Sequence, residues 1–123
     1  MRMMLVGAGA VGECILKVLK ERGAKGRWLS YVLIADYDGK RAEEVQRHLE
    51  AERSGIVFAS ACVDAHDRKE LVRLMQEHRI DFVMDAASPF VSTCIFDAAD
   101  EAGADYASMG TWSVPKEQPA FGT

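Results

Sequence analysis

The sequence has no excess of basic residues, and this absence bears on its partners. Its 15 lysines and arginines stand against 19 aspartates and glutamates, which leaves a formal net charge of −4 at pH 7. A protein that binds nucleic acid displaces phosphate counterions with a basic face, and an anionic membrane surface attracts clustered lysine and arginine. The charge balance therefore argues against both kinds of partner.

Long apolar runs are also missing. No stretch approaches the roughly 18 consecutive apolar residues that a membrane-spanning helix needs. The apolar segment from Met3 to Ala10 is interrupted by Gly7 and Gly9 and is soon followed by Glu13, whereas a secretory signal needs an unbroken apolar stretch of about 7–15 residues. We therefore expect a cytoplasmic protein.

Cysteine is scarce as well. Cys14, Cys62 and Cys94 are odd in number, lie far apart in the chain and form no Cys-x-x-Cys pair. This pattern predicts reduced cysteines in the core, with neither a disulfide nor a metal site. The three histidines share no spacing with one another or with cysteine, and we expect each to lie on the surface.

Two other nucleotide-site patterns are absent. Where a P-loop has lysine after its last glycine, Gly12 is followed by Glu13. Short-chain reductases use a Tyr-x-x-x-Lys pair, and no tyrosine here is followed four positions later by lysine. Both enzyme classes are therefore excluded.

The sequence does contain a regular alternation of short apolar runs with segments of helical periodicity. The runs predict strands over Met3–Val6, Tyr31–Ala35, Ile56–Ala59, Asp81–Met84 and Asp105–Ala107. The third strand could also extend to Cys62. Between them we predict a helix that ends at Gly23, one over Lys40–Arg53, one capped by Asp67 with Glu70 completing a capping box, and one closed by Gly103.

Repeated strand–helix units predict an α/β fold of the Rossmann type, a doubly wound parallel sheet with strand order 3-2-1-4-5. The length of 123 residues suits one such domain. We assign residues 1–107 to a dinucleotide-binding domain. Residues 108–123 carry proline, tryptophan and phenylalanine with neither helical nor strand periodicity. We assign them to an irregular tail that leads to a missing substrate domain.

A glycine motif follows the first predicted strand. Its six residues read G-x-G-x-x-G and open a helix, the context in which this pattern binds dinucleotides. Gly7 would allow the tight turn, Gly9 the approach of a pyrophosphate to the backbone, and Gly12 the close packing of helix on sheet. Phosphates would lie against backbone N–H groups at the positive end of the helix. The predicted phosphate site comprises Gly7, Gly9, Ala10, Val11 and Gly12. The alternative is a glycine-rich turn without a ligand.

An acidic residue ends the second predicted strand. Asp36 follows the motif at close to the ~20-residue separation of the acid that binds the adenosine ribose, and the predicted site includes its neighbour Tyr37. The carboxylate would accept hydrogen bonds from both ribose hydroxyls and repel a 2′-phosphate, and Asp38 would add to that repulsion, so NAD is favoured over NADP. Lys40 and Arg41 would favour NADP, but we expect both in the solvated first turn of the next helix. The alternative for Asp36 is a helix N-cap or an exposed loop acid.

Two later turns complete the predicted site. Asp64 and Ala65 follow the third strand, where a carboxylate could accept from the exocyclic amine of adenine; a plain turn aspartate is the alternative. Ala87, Ser88 and Pro89 follow the fourth strand at the topological switch point, where small residues leave room for the nicotinamide side of a dinucleotide. Alternatively, these small residues merely close a strand–helix turn.

The whole chain resembles the N-terminal cofactor domain of the saccharopine dehydrogenase-like oxidoreductases, a group that includes saccharopine reductases, lysine dehydrogenases and carboxynorspermidine dehydrogenases. The matching segments are Leu5–Gly12, Ala35–Asp38, Val63–Ala65, Asp85–Phe90 and Ala102–Tyr106. Many members carry an aspartate two residues after that tyrosine, where this chain has Ser108. No role is therefore carried over to this position.

The resemblance implies NAD(P)-linked oxidation of CH–NH bonds in an amino acid or polyamine-type substrate, or the reverse imine reduction. Family members add a second domain that binds substrate and assists oligomerisation, so we expect this chain to be part of a longer protein, inactive alone and able to form a homodimer. No residue is assigned as catalytic acid or base. The alternative is a non-enzymatic nucleotide-sensing domain of a potassium channel or transporter, which shares the glycine turn and the acid after the second strand.

Overall fold

Strands and helices alternate along the computed structural model, which describes residues 1–26, 28–51, 54–87 and 91–108. In chain order they are β1 (Arg2–Val6), α1 (Ala10–Gly26), β2 (Tyr31–Asp36), α2 (Gly39–Glu50), β3 (Val57–Cys62), α3 (Arg68–Glu77), β4 (Phe82–Asp85), α4 (Ser92–Ala102) and β5 (Asp105–Ser108). The predictions for Ser88, Pro89 and residues 109–123 of the tail lie outside the described residues. Ser108, which we assigned to the tail, is instead the last residue of β5.

The five strands form one parallel sheet in the order β3-β2-β1-β4-β5, which confirms the predicted fold and strand order. At the carboxyl end of β1, Val6 lies opposite Ala35 of β2 on one side and Asp85 of β4 on the other. The chain builds outward from β1 to β3 and then crosses to β4, so the strand order reverses at β1. In such sheets, ligands bind where the order reverses, beyond the carboxyl ends of the strands.

Each face of the sheet buries its own apolar core. Met3 and Leu5 of β1 contribute to the core that also holds Leu16 of α1 and Leu49 of α2. Their neighbours Met4 and Val6 point to the opposite face and join the core built by α3 and α4. Successive side chains of a strand alternate between faces, and a parallel strand covered on both sides is therefore apolar throughout. None of the described helices is long and apolar enough to cross a membrane.

Two helix ends differ from the prediction. Helix α1 continues through Gly23 to Gly26, because one interior glycine costs only about 1 kcal/mol of helix stability relative to alanine and the following Ala24 and Lys25 favour the helix. Helix α2 ends at Glu50 rather than Arg53. Its buried stripe ends at Leu49, and a helix of this length depends on packing of its apolar face.

The predicted capping box of α3 is only half formed. The side chain of Asp67 accepts a hydrogen bond from the Glu70 N–H at 3.1 Å, so the N-cap itself is confirmed. The return bond is absent among the described contacts: the Asp67 N–H donates to the Asp64 carbonyl at 2.9 Å. The Glu70 carboxylate accepts instead from Arg73 Nε at 2.9 Å, because residues three apart on a helix are neighbours.

The cysteines are free; Cys94 packs against an apolar core, as expected, whereas Cys14 and Cys62 do not lie in the core. Cys14 and Cys62 are exposed and Cys94 is partly buried. Cys62 is the last residue of β3, which is an edge strand of the sheet and pairs with β2 alone. Across the described residues, no group of three or more histidine, cysteine, aspartate or glutamate side chains could hold a metal ion.

Candidate functional site

A cleft of about 650 Å³ lies at the carboxyl edge of the sheet, where β1, β2, β3 and β4 end. It is lined by Val6, Gly7, Ala8, Gly9, Asp36, Tyr37, Val63, Asp64, Ala65, His66, Ala87 and Val91. Seven of the predicted site residues are therefore brought together in one concave surface from four separate turns. Its position at the topological switch point is where open α/β sheets bind ligands.

Two glycines of the motif are required by the protein's own packing. Gly7 has a φ of +102°, and a Cβ there would lie 2.8 Å from the carbonyl carbon and oxygen of Ala86. A Cβ on Gly12 would lie 2.2 Å from the Gly7 carbonyl oxygen. Gly7 thus allows contact between the turn after β1 and the turn after β4, and Gly12 allows α1 to pack directly beneath that turn.

The middle glycine differs from the other two. Gly9 is exposed, and a Cβ added to it would have no heavy atom of the protein within 4 Å. Nothing in the described packing therefore requires glycine at this position. The open space over Gly9 belongs to the cleft, and α1 begins at the next residue, Ala10.

Asp36 is oriented by the glycine turn. Its Oδ2 accepts the backbone N–H of Ala8 at 3.0 Å, and its Oδ1 accepts that of Asp38 at 3.4 Å. It is Asp38, and not Asp36, that caps α2, because Asp38 accepts from the N–H groups of Lys40 and Arg41 at 3.0 and 3.3 Å. The carboxylate of Asp36 therefore remains at the cleft, where it contacts the glycine turn and does not cap α2.

Arg41 lies in the first turn of α2, as predicted, but its side chain is not solvated as we expected. Its side chain is 27% exposed, and Nε donates to the carbonyl of Ala8 at 2.7 Å. Nη2 donates to Glu13 at 2.8 Å and Nη1 to Glu44 at 3.1 Å. The charges along α2 indicate the pair with Glu44 but not the other two contacts, because Ala8 belongs to the glycine turn and Glu13 to α1. The side chain of the neighbouring Lys40 is exposed, as predicted.

Glu13 is the acidic partner of this cluster. Its carboxylate is 13% exposed and contacts His48 Nδ1 at 2.8 Å through Oε2. Hydrogen bonding from His48, and then from Arg41, lowers the pKa of Glu13 below its usual value although partial burial acts in the opposite direction. Glu13 therefore keeps its charge in the first turns of α1, beside the glycine motif.

In the turn after β3, Asp64 contacts His66. The sequence predicted Asp64 as a site residue but not His66. Asp64 Oδ1 accepts from the backbone N–H of His66 at 2.9 Å and lies 3.0 Å from its ring Nδ1. These contacts, the backbone bond first, lower the pKa of Asp64. His66 is exposed as predicted, but it also lines the cleft. The apolar walls formed by Val63 and Val91 likewise had no assigned role in the sequence.

The turn after β4 rests on a buried carboxylate. Asp85 is 0% exposed, and its Oδ1 accepts from the N–H of Ala87 at 3.0 Å. Its Oδ2 accepts the hydroxyl of Tyr106 at 2.6 Å. Burial, followed by this bond to Asp85, raises the pKa of Tyr106 above its usual value. An aspartate that ends an apolar strand is a signal that could have indicated this role.

Comparison with known proteins identifies the family. The model of the saccharopine dehydrogenase NADP binding domain matches residues 3–120. The carboxyaminopropylagmatine dehydrogenase of Synechocystis sp. is 25% identical over 114 residues, which are 93% of this chain but 27% of that protein. The chain thus spans about a quarter of the length of this curated relative.

Solved structures agree with the fold. The UDP-glucose 4-epimerase of Stenotrophomonas maltophila, which was solved with NAD bound, superposes with a TM-score of 0.66 at 22% identity, over 96% of this chain and 40% of its own. The UDP-glucose 4-epimerase of Thermus thermophilus gives 0.59 at 20% identity, over 85% and 35%. At these identities the likeness shows a Rossmann-like fold and nothing finer. The family match decides the assignment: the chain belongs to the saccharopine dehydrogenase NADP binding domain family.

Proposed function

We propose that this chain binds NAD in the cleft and is the cofactor domain of an oxidoreductase that acts on CH–NH bonds. One observation carries the proposal: Gly9, where the protein itself needs no glycine, opens on the same cleft as the carboxylate of Asp36. A backbone without a side chain allows a pyrophosphate to approach, and an oriented carboxylate can accept hydrogen bonds from a ribose.

The pyrophosphate would lie over Gly9 and the first turn of α1. The first backbone N–H groups of a helix have no partner within the helix, and the helix dipole favours negative charge there. Ala10 and Val11 begin α1, so their N–H groups belong to this set. Gly7 and Gly12 would act indirectly, by allowing the turn and α1 to come close enough to form the site.

The adenosine would lie toward β2 and β3. Asp36 would accept the ribose hydroxyls with the acceptor sites that Ala8 and Asp38 leave unused, while Tyr37, Asp64 and Ala65 would surround the adenine. A 2′-phosphate would meet Asp36, and the guanidinium of Arg41 is already bonded to Ala8, Glu13 and Glu44. These contacts support NAD, although the family is described by NADP.

The nicotinamide would lie toward the turn after β4, near Ala87, Ser88 and Pro89. When bound, the cofactor accepts or supplies the hydride in oxidation of an amine or reduction of an imine. The residues of this chain would orient the ring and exclude water from it. The similarity to a carboxyaminopropylagmatine dehydrogenase supports a polyamine or amino acid substrate, and the family assignment favours this enzyme over a nucleotide-sensing domain.

Calorimetric titration of the chain with NAD and NADP tests the proposal. We expect saturable binding of NAD by the wild type and none by Gly9→Val, because the side chain would occupy the approach of the pyrophosphate. The variant should stay folded, with a loss of stability on the scale of a helix-cap change, since a Cβ at this position meets no protein atom. Equal affinities in a folded Gly9→Val protein would refute the phosphate site. In the same solutions, we expect the chain alone to oxidise neither lysine nor saccharopine.

A further inference from the structure

Arg41 of α2 contacts three separate parts of the molecule through its three guanidinium nitrogens. Nε donates to the Ala8 carbonyl in the glycine turn, Nη2 to Glu13 on α1, and Nη1 to Glu44 on α2 itself. A planar guanidinium holds its partners in a set geometry that an ammonium group cannot reproduce. The glycine turn is thereby fixed to two helices at once.

Ala8, which Arg41 contacts, is also the residue that orients Asp36. Its carbonyl accepts from Arg41 at 2.7 Å and its N–H donates to Asp36 at 3.0 Å. The peptide groups on both sides of this one residue are therefore bonded to side chains from outside the turn. Gly9 follows directly, so the conformation of Ala8 determines how the open backbone faces the cleft.

Arg41 also helps to compensate the charge of Glu13. Glu13 lies in the first turns of α1, where its N–H donates to the Gly9 carbonyl at 2.9 Å. An unpaired carboxylate so close to the phosphate site would repel a dinucleotide. Arg41 contacts Glu13 at 2.8 Å and compensates this charge together with His48 at 2.8 Å and Lys17 at 3.8 Å.

We propose that Arg41, held by Glu13, is a positioning residue for dinucleotide binding: it sets the glycine turn and compensates the charge beside it, and it does not bind a 2′-phosphate. The inference rests on the proposed function, since it concerns the same cleft. It departs from the ordinary expectation for a basic residue that follows the second strand, which is direct contact with the phosphate of NADP.

The test compares Arg41→Met with Lys40→Met. Each variant removes one positive charge from the first turn of α2, but the side chain of Lys40 is exposed while that of Arg41 contacts the glycine turn. We expect Arg41→Met to weaken NAD and NADP by the same factor, roughly tenfold or more, measured by calorimetry on folded protein. Lys40→Met should leave the NAD affinity close to that of the wild type.

Two outcomes would overturn the inference. A loss confined to NADP would make Arg41 a phosphate ligand, and a lowered unfolding midpoint with unchanged dissociation constants would make it a structural link between helices. Amide hydrogen exchange over residues 7–12 of the free protein gives a reading that needs no dinucleotide. Arg41→Met should accelerate this exchange and Lys40→Met should not; equal exchange refutes the positioning role even if the wild type binds no cofactor.

Discussion

The carboxylate of Asp36 accepts the backbone N–H of Ala8 at 3.0 Å, although the two residues are 28 positions apart in the chain. The bond joins the end of β2 to the turn after β1, strands that are neighbours in the sheet. It orients the acid before any ligand arrives, so that ribose hydroxyls would meet a preorganised acceptor. Preorganisation of this kind lowers the cost of ordering groups on binding.

The first prediction concerns the choice of cofactor. Asp36→Ser should weaken NAD by roughly ten- to a hundredfold, because charge-assisted hydrogen bonds to the ribose are lost, and it should narrow the difference between NAD and NADP. Asp38→Ser is the matched control for the affinity for NAD and should leave it close to that of the wild type, since Asp38 caps α2 and serine also caps helices. Pairs of dissociation constants at fixed ionic strength measure both effects. Tighter binding of NADP than of NAD by the wild type would contradict the assignment of Asp36.

The second prediction separates two glycines of the motif. Gly12→Ala should lower the free energy of unfolding by about 1–3 kcal/mol, because its Cβ would overlap the Gly7 carbonyl oxygen at 2.2 Å. Gly9→Ala should lower it by less than about 1 kcal/mol, the scale of a helix-cap change. Urea denaturation of both variants checks this difference. Equal losses would show that the turn relaxes around either side chain.

The third prediction follows from the lowered pKa of Glu13. A carboxyl group with a lower pKa in the folded state stabilises the fold above its ordinary pKa of 4.5, and this contribution is lost as the pH falls through the folded value. The wild type should therefore lose stability more steeply below about pH 5 than Glu13→Gln does. Glu43→Gln, at an exposed acid of α2, should follow the wild type. Denaturation midpoints between pH 7 and the acid limit of folding give the curves; parallel curves for all three proteins would contradict the assignment.

The fourth prediction concerns the buried pair under the turn after β4. Tyr106→Phe leaves the Asp85 carboxylate without its hydroxyl donor in a fully buried position, and we expect a loss of about 1–3 kcal/mol in the free energy of unfolding. Tyr37→Phe is the control, because that side chain is 77% exposed, and its effect should stay within about 0.5 kcal/mol. If Tyr106→Phe is as stable as the control, the pair does not support the turn.

Much of the fold could be predicted from local pattern. The apolar run of β1 and the helical stripe of α2 indicate their elements because burial on a sheet requires those periods. The ends of the helices were harder to predict. Helix α1 passes Gly23, because one interior glycine costs a helix little, and α2 stops at Glu50, where its buried stripe ends.

The sequence by itself determined the family, the parallel sheet and the residue types at the four turns of the cleft, because strand period, glycine spacing and an acid after β2 are local properties of the chain. Only the tertiary structure decided the partners of those residues. It placed Arg41 on Ala8, His66 on Asp64 and Tyr106 on Asp85. Two of these three contacts join residues far apart in the chain: the Arg41 contact follows from how α2 lies on the sheet, and the Tyr106 contact from the pairing of β4 with β5. Both are consequences of the packing of the whole core.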